Sequence, residues 1–365
     1  MIDADLLSIS ALQQAELIRQ KQISPIELLE LYLARIDRLN PQVGAFFHVA
    51  TESARQTARI QTTLLTQNPA QLPPLFGLPI GIKDLNPVAG MPCSYGVAAL
   101  KDQPATIDDS IVLLLRQAGC NIVGKTAISE LAALPFSETP GFAPTRNPWN
   151  LAHTAGGSSG GAAAAVAAGM LPFAHGDDGG GSLRGPAHCC GLVGIKPTRG
   201  RVSDAPVGDR ITGLAARGPI ARNVADAAAL LDAMAHRLPG DPYLFPAIED
   251  SFLAATQRSP GQLKIAVCKS FPPFTDIDVN YSVAIDLTAD LLSNLGHQLW
   301  SIELDIQAAI EPFMTVWQTA IAAAGVPAPA LGEFNQWLIG RSGSAADYLN
   351  AVYSLQAISR QVVAR

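Results

Sequence analysis

With 365 residues, 48% of them hydrophobic and only 15% charged, the chain is long enough for one large α/β domain or about two average ones. Its formal net charge of -6 offers no basic stripe for phosphate groups, which argues against nucleic acid as a direct partner. The N-terminal segment mixes acids with its leucines and lacks a signal-peptide pattern, and no run reaches the roughly 18 apolar residues of a membrane span, so the expected compartment is the cytoplasm.

Ser24, Pro25 and Glu27 form a helix start, with a capping serine, a proline at the first helical position and a glutamate three residues after the cap. IELLELYLARIDRLN then places Leu28, Leu29, Tyr32, Leu33 and Ile36 on one stripe, and Asn40 and Pro41 predict its end. GLPIGIKDL is a short apolar run that predicts a buried strand delivering Lys83 at its end, with Asp84 on the opposite face. DSIVLLLRQAGCNIVGKTAISEL predicts a helix over 111–117 and a strand over 120–123. After a glycine- and alanine-rich passage, a helical pattern is expected over 216–235 and a strand at LKIAVCKS. A helix over 281–295, a strand near 298–302 and helices near 306–323 and 345–363 follow. The proline-rich passage 239–246 reads as a surface loop. Alternating helix and strand predict a mainly parallel sheet, in a single domain over 1–365.

The five cysteines are odd in number and show no C-x-x-C spacing, which argues against a disulfide framework or a zinc site. His188, Cys189 and Cys190 are adjacent on one element and so point apart, which favours packing over metal binding. No metal or cofactor is expected.

Two glycine-rich stretches contain serine, AGGSSGG and GDDGGGSLRG. A flexible linker would not run straight into a segment as apolar as 162–170, and the phosphate-loop pattern GxxxxGK[ST] is absent. Consecutive glycines expose backbone N–H groups, which suits an oxyanion hole, and Gly179, Gly180 and Gly181 precede Ser182 in this way. A serine hydroxyl needs a base, and a lysine can serve if burial depresses its pKa from about 10.4. Lys83, following Leu78, Pro79, Ile80 and Ile82, enters an apolar layer and is the best candidate.

GLPIGIKDL, GKTAISEL, AGGSSGG and GGGSLRGPAHCCGLVGIKPTRG, in this order, resemble the amidase-signature family. ARGPIARNVADAAALLDAMA and the LKIAV strand extend the resemblance to nearly the whole chain. It implies an α/β fold, a large mixed, mainly parallel sheet covered by helices on both faces. It also implies a hydrolase that cleaves a carboxamide C–N bond of a small-molecule amide through an acyl-enzyme, releasing ammonia or an amine. By the same resemblance Lys83 is the general base, Ser158 the relay on a cis peptide and Ser182 the nucleophile. Gly179, Gly180 and Gly181 with Ser182 would form the oxyanion hole. Ser159, Asp178 and Arg184 would support it, the last two as an ion pair bracing the nucleophile loop.

The resemblance breaks at Asp177, where the family usually has Ser or Thr, at Gly179, where it often has Thr or Ile, and at the C-terminus. A typical member continues past the helix in which Arg365 ends, so the closing elements of the sheet are expected to be missing. An unpaired strand edge would then favour a homo-oligomer or a second chain completing the sheet.

Two rival readings remain. GGSSGG contains the nucleophile-elbow pattern G-x-S-x-G twice, centred on Ser158 and on Ser159, with His236 or His297 as base, which would leave Lys83 and Ser182 unexplained. A catalytically impaired relative would act as a binding protein or within an amidotransferase-type complex. The substrate stays open, because Met91, Tyr95, Phe136 and Phe142 fit a pocket wall and the core equally well.

Overall fold

The computed structural model describes residues 3–67, 69–243, 245–246 and 250–364. They gather into two compact units: Met1–Thr256 with Val326–Gln336, and Gln257–Gly325 with Trp337–Arg365. Residue 244 of the expected proline-rich loop and Arg365 lie outside the described residues.

The first unit is built on a six-stranded sheet. Its strands are β1 (Phe46–Val49), β2 (Pro79–Lys83), β3 (Asn121–Thr126), β6 (Phe173–Asp178), β7 (Val193–Gly194) and β8 (Ala216–Ala221), while β4 (Arg146–Asn147) and β5 (Asn150–Thr154) form a separate hairpin. In the order β1-β3-β2-β6-β8-β7, the pairs of β2 with β3 and β6 are parallel, and the pairs β1–β3, β6–β8 and β7–β8 are antiparallel. The sheet is therefore mixed, with β2, β3, β6 and β7 running one way and only β1 and β8 opposed.

Strands β2, β3, β6 and β8 are buried along their whole lengths, as expected of strands covered on both faces. Alternation sends neighbouring residues into different cores. Ile80, Ile82, Ile122 and Phe173 join one apolar cluster with Ile111, Leu115 and Leu230, whereas Val123, Ala174 and Ile220 join another with Leu29, Leu33 and the helix Gly160–Ala167. Each such fully buried large side chain contributes about 1.5–3 kcal/mol.

Helix Pro25–Val43 begins as expected, with the Ser24 side chain accepting the Glu27 N–H and the Glu27 carboxylate accepting the Ser24 N–H. It does not stop at Asn40. The chain runs helically through Pro41 to Val43, since a proline this near the end removes a single bond, and Gly44, at φ 63°, closes the last turn by donating its N–H to Asn40. A second correction falls at 216–235, where the first six residues form β8 and only Val224–Met234 is helical. Pro219 has no N–H for a helix interior, and Asn223 caps the helix by accepting the Asp226 N–H at 2.8 Å.

The second unit contains β9 (Lys264–Ser270) paired in parallel with β10 (Gln298–Glu303) across the helix Val279–Asn294, followed by the helices Gln307–Ala322 and Ala345–Val363. The helix Val279–Asn294 has no buried residue. Val279, Val283 and Leu287, and then Leu291 and Leu295, are exposed at a spacing of four, with Leu287 65% exposed.

Candidate active site

Lys83 closes β2 on the face away from Ile80 and Ile82, and only 1% of it is exposed. Its Nζ lies 2.8 Å from Ser158 Oγ and donates to the Asp177 carbonyl at 3.1 Å. Burial pushes its pKa down from 10.5 to about 8; Asp177 and Asp178 pull it back up, and Arg210 pushes it further down. Asp84 turns the other way, where its carboxylate meets Lys125 at 3.0 Å and accepts the Ser94 N–H and hydroxyl. Two buried lysines thus stand on neighbouring strands β2 and β3 with different partners. Lys125 has its own carboxylate, and Lys83 faces a hydroxyl and a carbonyl.

Ser158 and Ser159 lead into the helix Gly160–Ala167, whose residues from Gly160 to Val166 are all buried. Only glycine permits the approach at 161, because a Cβ there would stand 2.3 Å from Ala127 N and 2.4 Å from Ala45 O. The Gly157–Ser158 peptide is cis. The Ser159 N–H donates to the Ser182 carbonyl at 3.2 Å, and its hydroxyl donates to the Asp177 carbonyl at 3.2 Å. Ser159 therefore joins the first serine segment to the loop after β6, bringing together motifs that are remote in sequence.

That loop is organised by Asp178. Its carboxylate accepts the N–H groups of Gly181 at 2.6 Å, Leu183 at 3.2 Å and Arg184 at 3.3 Å, and binds the Arg184 guanidinium through Nε at 2.8 Å and Nη2 at 3.0 Å. Burial opposes the negative charge, but Arg184 and these N–H groups hold Asp178 below the usual carboxylate range. One correction to the expected oxyanion donors follows. The Gly181 N–H points at Asp178, and Gly181 instead supplies the positive φ of 121° that the turn requires. Among the described residues, the N–H groups of Gly179, Gly180 and Ser182 have no protein acceptor.

Sequence reasoning missed two parts of this arrangement. Ser137 Oγ is buried 3.1 Å from the Gly156 carbonyl and 3.3 Å from that of Ser158, and it accepts the Gly160 N–H at 3.2 Å, so it pins the first serine segment. Behind the site lies a buried charge network. Arg217 on β8 is bidentate to Asp109 at 2.7 and 2.9 Å, and its Nε lies 3.2 Å from Asp204 and 3.7 Å from Asp177. Arg210 reaches Asp109 at 3.3 Å. The pattern that concealed Arg217 was ARGPIARN, read as helix; its proline was the available signal.

The remaining candidates sort simply. Met91 belongs to the core, Phe142 stacks on Phe47 with ring centroids 4.0 Å apart, and the Phe136 backbone abuts Gly157. His297 accepts the Leu263 N–H, His236 is exposed, and the side-chain partner of Ser158 Oγ is Lys83. Cys189 is exposed and Cys190 buried.

Fold and site together define an α/β protein with a buried lysine beside a serine at a helix start and a second serine on a glycine loop. The amidase family profile matches residues 27–338, and the chain belongs to that family. It is 50% identical over 361 residues to a Synechocystis sp. protein assigned to the amidases, covering 98% of this chain and 71% of that one. A 6-aminohexanoate-cyclic-dimer hydrolase of Pseudomonas sp. is 35% identical over 323 residues, which is 86% of this chain but only 63% of the hydrolase. A solved structure of 6-aminohexanoate cyclic dimer hydrolase superposes with a TM-score of 0.91 at 30% identity, covering 98% of this chain and 76% of that one.

Proposed function

We propose that the protein hydrolyses a carboxamide C–N bond with Ser182 as nucleophile, Ser158 as proton relay and Lys83 as base. The observation that carries this reading is the 2.8 Å approach of a fully buried Lys83 amine to Ser158 Oγ, with its pKa lowered to about 8. The neutral amine accepts the Ser158 proton as Ser158 takes the proton of Ser182. The Ser182 oxygen bonds to the carbonyl carbon, and the π electrons move onto the carbonyl oxygen. The free N–H groups of Gly179, Gly180 and Ser182 are suited to that oxyanion. Return of the proton to the nitrogen breaks the C–N bond, leaving an acyl-serine and releasing ammonia or an amine. Water then attacks the ester by the same proton route and releases the carboxylic acid.

Labelling of Ser182 by a fluorophosphonate probe, read by mass, tests the nucleophile. Absence of labelling in folded protein would favour the non-catalytic reading. Ammonia or amine release from a panel of linear, cyclic and aryl amides tests the reaction, and cyclic amides join the panel because of the named Pseudomonas relative.

A further inference from the structure

Asp177 occupies a position where backbone and side chain do different things. Its carbonyl, at the end of β6, accepts from both Lys83 Nζ at 3.1 Å and Ser159 Oγ at 3.2 Å. Its carboxylate turns into the sheet beside Arg217, its direct register partner on β8, with Oδ1 3.7 Å from Arg217 Nε. The other oxygen, Oδ2, is buried without a hydrogen-bond donor among the described residues, 4.0 Å from His175 Nε2. His175 does not neutralise it, since burial lowers the imidazole pKa to about 4.

The groups acting on the Lys83 amine are Asp177, Asp178 and the neutral His175 on β6, Arg210 ahead of the turn Ile211–Gly213, and the Ser158 hydroxyl, and Arg217 on β8 stands beyond them against Asp177. Asp178 is balanced by Arg184, and Lys125 by Asp84. This leaves Asp109, Asp177 and Asp204 against Arg210 and Arg217. The network carries one surplus negative charge, and a protonated Lys83 cancels it. In a site this buried such a surplus favours the ammonium form.

Resting on the reading of Lys83 as base, we propose that Asp177 is a positioning residue whose carboxylate holds the proton on Lys83 and so sets the pH above which the site becomes nucleophilic. Without that carboxylate, the network balances with the amine neutral.

The test is the rate of Ser182 modification by a fluorophosphonate probe across pH, in wild type, Asp177→Asn and Asp177→Thr, with folding of each checked by thermal melting. Asp177→Asn keeps the shape, and Asp177→Thr covers the case in which a buried amide prevents folding. The acid limb is expected to move down by about one pH unit, as removal of a neighbouring opposite charge does, with Ser182 still labelled. A limb that stays in place or moves up overturns the proposal, because a merely structural Asp177 would lower the amplitude without moving the limb. Lys83→Ala run in parallel separates the two readings. If its labelling persists above a tenth of the wild-type rate, the lysine-base reading fails. If Lys83→Ala is silent and the limb of the Asp177 variants is unmoved, only this inference falls.

Discussion

The end of the six-stranded sheet where Lys83 and Ser182 lie and the β9–β10 pair of the second unit treat their side chains in opposite ways. Around the site even charge is buried: Lys83, Lys125, Arg217, Asp84 and Asp178 are at most 1% exposed, and each has named partners. In the second unit even apolar groups are open, with Val279 69% and Leu291 59% exposed on a helix that buries nothing. Burying a charge without partners costs several kcal/mol, so the sheet end is a place where single substitutions have large consequences. An exposed leucine has already forgone its hydrophobic gain, so replacing it alters little.

The largest expected effect is on chemistry at the sheet end. Ser182→Ala should abolish turnover, and Ser158→Ala and Lys83→Ala should each lower kcat by several orders of magnitude, because members of a relay act as a unit. Retention of more than a tenth of the activity in Ser182→Ala, measured as ammonia or amine release, would refute the assignment. Next comes stability. Arg217→Met should cost about 3–5 kcal/mol in a denaturant melt, since it removes the guanidinium beside Asp204 and leaves buried Asp109 with Arg210 as its remaining cation. A loss below about 1 kcal/mol would mean that water reaches the network.

A third expectation concerns pH. With Lys83 held at about 8, activity should climb roughly tenfold per unit up to that point and then level, because only the neutral amine accepts a proton. A bell centred near pH 6 would point to a carboxylate or histidine base. The smallest effect sharpens the comparison from the other side. Leu287→Ser or Leu291→Ser should change stability by no more than about 0.5 kcal/mol, and a larger loss would show that this helix face is covered in solution.

Much of this was legible in the sequence where local rules decide. The Ser24 cap, the Leu28–Ile36 stripe and the strand ending at Lys83 follow from capping, periodicity and length, and each stands where the pattern put it. The family, too, was readable from four short motifs in order. What was not legible depends on distant partners. Arg217 pairs with Asp109 across more than a hundred residues, Ser137 finds Gly156 and Gly160 only once the chain is folded, and the Gly181 N–H is taken by a carboxylate three positions earlier. A glycine run announces available donors, but which of them stays free is decided by tertiary geometry.

The alanine-rich helix Gly160–Ala167 has a further consequence, for tolerance to mutation. Its side chains are methyl groups or hydrogens except for Val166, and no face from 160 to 166 meets solvent. There is no periodic escape as there is on an ordinary amphipathic helix, where every third or fourth position accepts almost anything. In a library of random variants this stretch should appear as an unbroken run of positions that admit only the smallest residues.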